Sequence, residues 1–215
     1  MAQIDALKTD EIQNYEIEHQ EEVRRLAGEC MVLLENDGIL PLQSDAKKLA
    51  LFGTGARHTI KGGTGSGDVN VRENISIAQG LERAGFEFVT EGWLDQYDRL
   101  YADAQDAYAK KLNEFTEKTG KPSMLYAFAN PFEEPEQPEI TEADVKEADA
   151  AIYVISRNSG EGKDRRAEKG DYYLSDREIQ NIRFMTEHYK NCIVLLNVGG
   201  VIDLTALKAI EGVQA

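Results

Sequence analysis

A chain of 215 residues, 41% of them hydrophobic, can bury the core of one large domain. Its 24 basic and 39 acidic side chains leave a net charge of −15, which excludes nucleic acid as a partner because no surface would neutralise a run of phosphates. The longest apolar stretch near the C-terminus, CIVLLNV at 192–198, has the length of a strand and falls far below a membrane span.

The N-terminus, MAQIDALKTDE, shows no basic segment followed by an apolar core, so no signal peptide is visible and a cytoplasmic protein is expected. Cys30 and Cys192 lack ligand-like spacing and read as two buried thiols in a reducing compartment. His19, His58 and His188 are scattered, and neither a metal nor a cofactor is assigned.

Residues 10–34 read as a long helix, with Ile12, Tyr15, Val23, Leu26, Ala27, Cys30, Leu33 and Leu34 on a stripe of period 3.6. Asn36-Asp-Gly38 stops it and Pro41 follows. KLALFG (48–53) reads as a buried strand, followed by a glycine-rich loop to Val69. A helix over 74–85 ends at Gly85, and FEFVTEGW (86–93) reads as a second strand. Residues 95–118 form an amphipathic helix. Four of the five prolines then fall within 122–138, in a surface excursion over 122–140 where MLYAF (124–128) reads as an edge strand. Thr141 to Asp144 starts a short helix, and DAAIYVISR (149–157) is a strongly β run. Ser175 with Glu178 fits a capping box, flanked by Leu174 and Ile179 as a hydrophobic staple. The strand CIVLLNVGG precedes a weak helix at 203–210. Strands alternating with helices, and apolar on both faces, predict an α/β fold: a three-layer α/β/α sandwich with a mostly parallel, flavodoxin-like sheet.

Ligands of open α/β sheets bind beyond the carboxyl ends of the strands. Two glycine-rich loops leave such ends, GGTGSGDV after Phe52 and SGEGKDR after Ser156, and neighbouring strands would bring them to one crevice. The second loop lies in RNSGEGKDRRAEKGDYYLS (157–175), which holds five basic residues and three glycines. Residues 158–172 carry little apolar anchoring apart from Ala167, so their ordering is poorly offset and mobility is expected. The crevice reads as backbone amides, one or two carboxylates and cations. Three readings stand open: tight turns alone, a phosphate or nucleotide cradle, or a loop that delivers a catalytic carboxylate. The cradle lacks a GK[ST] ending and the immediate helix of a dinucleotide fingerprint.

Four segments, in this order, resemble glycoside hydrolase family 3 of the β-glucosidase type. ECMVLLENDGILPL (29–42) is similar to that family's helix ending in VLLKN…LPL, and LALFGTGA…GGTGSGDV to its glycine-serine loop. AIYVISRNSGEGKDR resembles its SGEG-x-DR segment, and IVLLNVGGVIDL its VVVLNSG…DL strand. The resemblance implies one domain over 1–215, the family's six-stranded α/β sandwich, lacking its last strand and separate from a catalytic barrel. It also implies the reversed domain order of some members. Retaining glycosidases use two carboxyls about 5–5.5 Å apart. By motif match the barrel would supply the nucleophile and the sandwich the general acid/base, Glu161 between Gly160 and Gly162, with Glu168 in the same loop as its rival. Ser66 would hydrogen-bond a sugar hydroxyl, while Asp164 and Arg165 would hold the loop together as an ion pair. His58 and Lys61 receive no role. The implied partners are a β-linked glucoside or short oligosaccharide and the barrel of the same full-length protein. The alternatives are a flavodoxin-like nucleotide- or phosphate-binding module, and a non-catalytic packing domain.

Overall fold

The computed structural model describes residues 9–63, 65–67, 69–160 and 165–215, and the chain divides into two compact units, Met1–Glu35 and Asn36–Ala215. In the first unit, helix α1 spans Asn14–Ala27 and a 3-10 turn, Gly28–Cys30, follows it. The helix expected over 10–34 is therefore shorter at both ends. The Gln13 N–H donates to Glu16 Oε2 at 2.8 Å and sets its start, and Met31 turns extended after Cys30. Ile12, Tyr15, Val23, Leu26, Leu33 and Leu34 are exposed, as is Cys30, so only one of the two thiols expected to be buried is buried.

The second unit carries β1 (Lys48–Phe52), α2 (Ile77–Arg83), β2 (Glu87–Phe88), α3 (Glu91–Thr119), α4 (Ser123–Ala129), β3 (Ala150–Arg157), α5 (Asp176–His188), β4 (Cys192–Val198) and α6 (Thr205–Lys208). Its sheet has the order β2-β1-β3-β4, and every pairing is parallel. Leu49 to Phe52 lie against Ala150 to Tyr153, and Ala151 to Arg157 against Cys192 to Val198. All eight residues of β3 are buried, as a strand covered on both faces requires. Trp93, Leu94 and Tyr97 of α3 and Ile182 and Met185 of α5 complete the core. The α/β fold read from the alternating pattern is the fold observed.

At the β4 edge, the Gln214 N–H donates to the Cys192 carbonyl at 2.9 Å and the Val194 N–H to the Ala215 carbonyl at 2.7 Å. With the parallel bridge between Cys192 and Val213, residues 213–215 lie alongside the start of β4. Burial pushes the Cys192 thiol up to about 12, so it stays protonated and packs as a small apolar group.

Three local expectations change. The second strand is two residues long, because Thr90 takes over the ladder. Its hydroxyl accepts from the Leu51 N–H and donates to the Leu51 carbonyl, both at 2.8 Å, while α3 begins one residue later. The segment 124–128 is helical in α4 rather than an edge strand. It follows Pro122, which suits a helix start, and docks on α3 through Tyr126 and Phe115, whose rings lie 5.3 Å apart. Thr141 to Asp144 closes a single turn, held by Thr141 N–H and Oγ1 bonds to Asp144 Oδ2 at 2.9 and 2.7 Å. The capping box at Ser175 and Glu178 forms as read, with Leu174 buried beside it.

Thr90→Val keeps the volume and leaves the Leu51 N–H and carbonyl unpaired in the buried part of β1. It is expected to lower stability by about 2–4 kcal/mol, read as a lower urea midpoint at unchanged slope. A midpoint equal to the parent's would show that Thr90 does not complete the ladder.

Candidate functional site

Strands β1, β3 and β4 release their chains at one edge of the sheet. After Phe52 the chain turns at Gly53, whose φ of 91° and close approach leave no room for a side chain: a Cβ there would lie 2.2 Å from the Val154 carbonyl oxygen. Thr59 ties the first loop down, donating from Oγ1 to the Gly55 carbonyl at 2.7 Å and accepting from the Ile77 N–H at the start of α2 at 2.8 Å. The Asn197 side chain of β4 accepts from the Ile60 N–H at 2.7 Å and donates to the Ile60 carbonyl at 3.1 Å, so the loop is pinned across the end of β3. Ser156 Oγ supports that amide at 3.2 Å. The two glycine-rich loops then touch, since a Cβ on Gly63 would meet the Ser159 carbonyl oxygen at 2.5 Å, and the chain leaving β4 comes as close, since a Cβ on Gly199 would meet Ser159 Oγ at 2.7 Å.

Ser66 sits in the 3-10 turn Gly65–Gly67, and its side chain lies outside the described part of the structure. Glu161 and Asp164 also lie outside the described residues. Arg165 is described, and its carboxylate partner is Asp171, with Nη1 2.9 Å from Asp171 Oδ1. Glu168 is exposed, 3.5 Å from the Arg166 guanidinium. His58 turns away onto α3: its Nε2 lies 2.8 Å from Asp98 Oδ1 and its ring lies 4.1 Å from that of Tyr101. Arg57 bonds Asp95 and Asp98 at 2.6 and 2.7 Å beside it. The Lys61 ammonium donates to the Val69 carbonyl at 2.6 Å, closing the first loop on itself.

Sequence reading missed Asn197, Arg157 and Asp171, and took Glu178 for a helix cap alone. Arg157 ends β3 and is 8% exposed; its guanidinium bonds both oxygens of Glu178, at 2.7 and 2.6 Å, and donates from Nε to the Asp171 carbonyl at 3.1 Å. The one available signal was an arginine closing a mostly apolar strand, with a capping-box glutamate 21 residues on. The anchorage of the second loop is thus polar, and a count of apolar residues does not register it. Burial opposes the charge on Asp171, but the Arg166 N–H and the Arg165 and Arg166 guanidiniums outweigh it and hold the carboxyl below the usual aspartate range.

A carboxyl whose pKa is lower in the folded chain adds stability above its unfolded pKa of about 3.9 and loses it as pH falls through the folded value. Asp171→Asn is therefore expected to unfold at lower urea than the parent at neutral pH, with the two midpoints converging below about pH 4. A difference that stays constant into that acidic range would show that the Asp171 charge is not what anchors the loop.

The profile of the glycosyl hydrolase family 3 C-terminal domain matches residues 31–215. The β-glucosidase A of Butyrivibrio fibrisolvens is 32% identical over 85% of this chain, and a β-glucosidase of Ruminococcus albus 31% identical over 87%. The chain spans 23% and 18% of those relatives, roughly a fifth of their length. The structure of β-glucosidase 3B from Thermotoga neapolitana in complex with glucose superposes with a TM-score of 0.66 at 36% identity, over 93% of this chain and 27% of that one. A β-glucosidase from Paenibacillus barengoltzii gives 0.65 at 27% identity, over 88% and 19%. With an all-parallel sheet and two glycine loops meeting at its carboxyl edge, the chain belongs to the glycosyl hydrolase family 3 C-terminal domain family.

Proposed function

We propose that this chain is the acid/base half of a retaining, exo-acting β-glycosidase of the β-glucosidase type. In this reading Glu161 is the general acid/base and Ser66 contributes a hydroxyl to the sugar pocket. A barrel of the same full-length protein carries the nucleophile, and the substrate is a β-linked glucoside or short oligosaccharide. One observation carries it: the loops leaving β1 and β3 come into contact at Gly63 and Ser159, and Ser159 stands two positions before Glu161 in the sequence. A carboxyl between two glycines can approach a sugar closely. The β-glucosidases similar to this chain support the reaction class.

Glu168 is the weaker candidate. Its backbone is committed to a turn, the carbonyl accepting from the Asp171 and Tyr173 N–H groups at 3.3 and 3.1 Å, and its carboxylate faces a surface arginine. A phosphate cradle is disfavoured because α2 starts at Ile77, 24 positions after Gly53, and so presents no helix N-terminus directly after the strand.

General acid catalysis contributes about 10²–10⁴-fold. In the full-length protein, Glu161→Gln is expected to lower kcat/KM on alkyl β-glucosides by at least about 100-fold, and on activated aryl β-glucosides by less than about 10-fold. If Glu161→Gln spares both substrates and Glu168→Gln abolishes the alkyl reaction, the role passes to Glu168. The isolated 215-residue chain should not turn over an aryl β-glucoside, and turnover matching the full-length protein would sink the two-domain reading.

A further inference from the structure

We propose that Arg157 is the positioning residue of the second glycine loop: a buried guanidinium that locks the loop's two stems together, so that a carboxylate borne between them is presented from a fixed base. The inference rests on the acid/base reading given for that loop. Residues 158–175 leave from the end of β3 and return into α5, and Arg157 holds both ends. Its Nη1 donates to the Ser156 carbonyl at 2.7 Å, Nη1 and Nη2 fork onto Glu178, and Nε reaches the Asp171 carbonyl, 14 positions along the loop. Glu178 is held from the other side, accepting the Ser175 N–H on Oε2 at 2.7 Å, while its own N–H donates to Ser175 Oγ at 3.1 Å.

The pair is nearly dry: the two side chains are 8% and 4% exposed. Burying two opposite charges is costly, and well-packed apolar side chains would fill the same volume without that cost. An apolar pair could not bond two carbonyls and a helix cap in fixed directions. A forked guanidinium can, and this directional role separates Arg157 from an ordinary core residue. Beyond Arg157 the order extends into the loop. Asp171 accepts Arg165 and the Arg166 N–H, the Gly170 N–H donates to the Tyr173 carbonyl at 2.8 Å, and the Tyr172 N–H donates to the Arg166 carbonyl at 3.3 Å. A general acid must come within about 3 Å of the oxygen it protonates, and a displacement of about 1 Å can cost 10²-fold. The lock therefore acts on catalysis without touching substrate.

The test compares Arg157→Lys and Glu178→Gln in the full-length protein, with Glu161→Gln alongside, using the ratio of kcat/KM for an alkyl to an activated aryl β-glucoside. This ratio is independent of how much protein is folded. Both variants are expected to lower it by about 10-fold or more, in the same direction as Glu161→Gln. In the 215-residue chain, the Gly170, Tyr172 and Tyr173 amides should exchange about 10-fold faster in Arg157→Lys, with the β3 amides unchanged. An unaltered ratio in both variants, while Glu161→Gln shifts it, overturns the inference and leaves the acid assignment standing. A Glu161→Gln enzyme with an unshifted ratio instead sinks that assignment, and unchanged loop exchange then overturns the lock as well.

Discussion

Parallel pairing of β1 with β3 obliges both strands to release their chains at the same edge of the sheet, and the register from Leu49 and Ala150 to Phe52 and Tyr153 aligns their ends. Both glycine-rich loops start from this alignment. An antiparallel pair would send one loop to the opposite edge, and Gly63 would never meet Ser159. The same register brings Gly53 against the Val154 backbone and lets Asn197, one strand further across, hold Ile60. The crevice is therefore set by strand direction first and by side chains second.

The sheet was legible because its strands are short runs apolar on both faces, and burial of this kind needs no knowledge of partners. The start of α5 was legible for a different reason: a capping box is a local circuit completed within four residues. Where the sequence misled, a tertiary partner made the decision. Residues 86–90 are rich in strand formers, yet the Thr90 hydroxyl replaces a backbone partner and the chain turns helical. MLYAF suits a strand equally well, but it docks on α3 instead of a sheet edge. The polar lock escaped notice because Arg157, Asp171 and Glu178 are scattered along the chain and meet only after folding.

Acidic surplus describes the surface of this protein and conceals how its cations are used. Arg57 is folded onto Asp95 and Asp98, Arg165 onto Asp171, and Arg157 onto Glu178, each joining a loop at the crevice to a neighbouring element or to itself. A loop rich in charge is costly to order in water. It becomes less so when its charges find one another in places where solvent is scarce.

The hydrogen bonds made by residues 213–215 cover only the start of the β4 edge, from Cys192 to Val194. Past Val194 that edge runs Leu195-Leu196-Asn197-Val198, uncharged, with no strand alongside it among the described residues. Leu195, Leu196 and Val198 are half-buried and pack against the core, so side chains and the pairing with β3 fix this stretch. Leu195→Lys or Leu196→Lys would therefore remove core packing as well as add a charge, and these two residues serve the interior before they serve the surface.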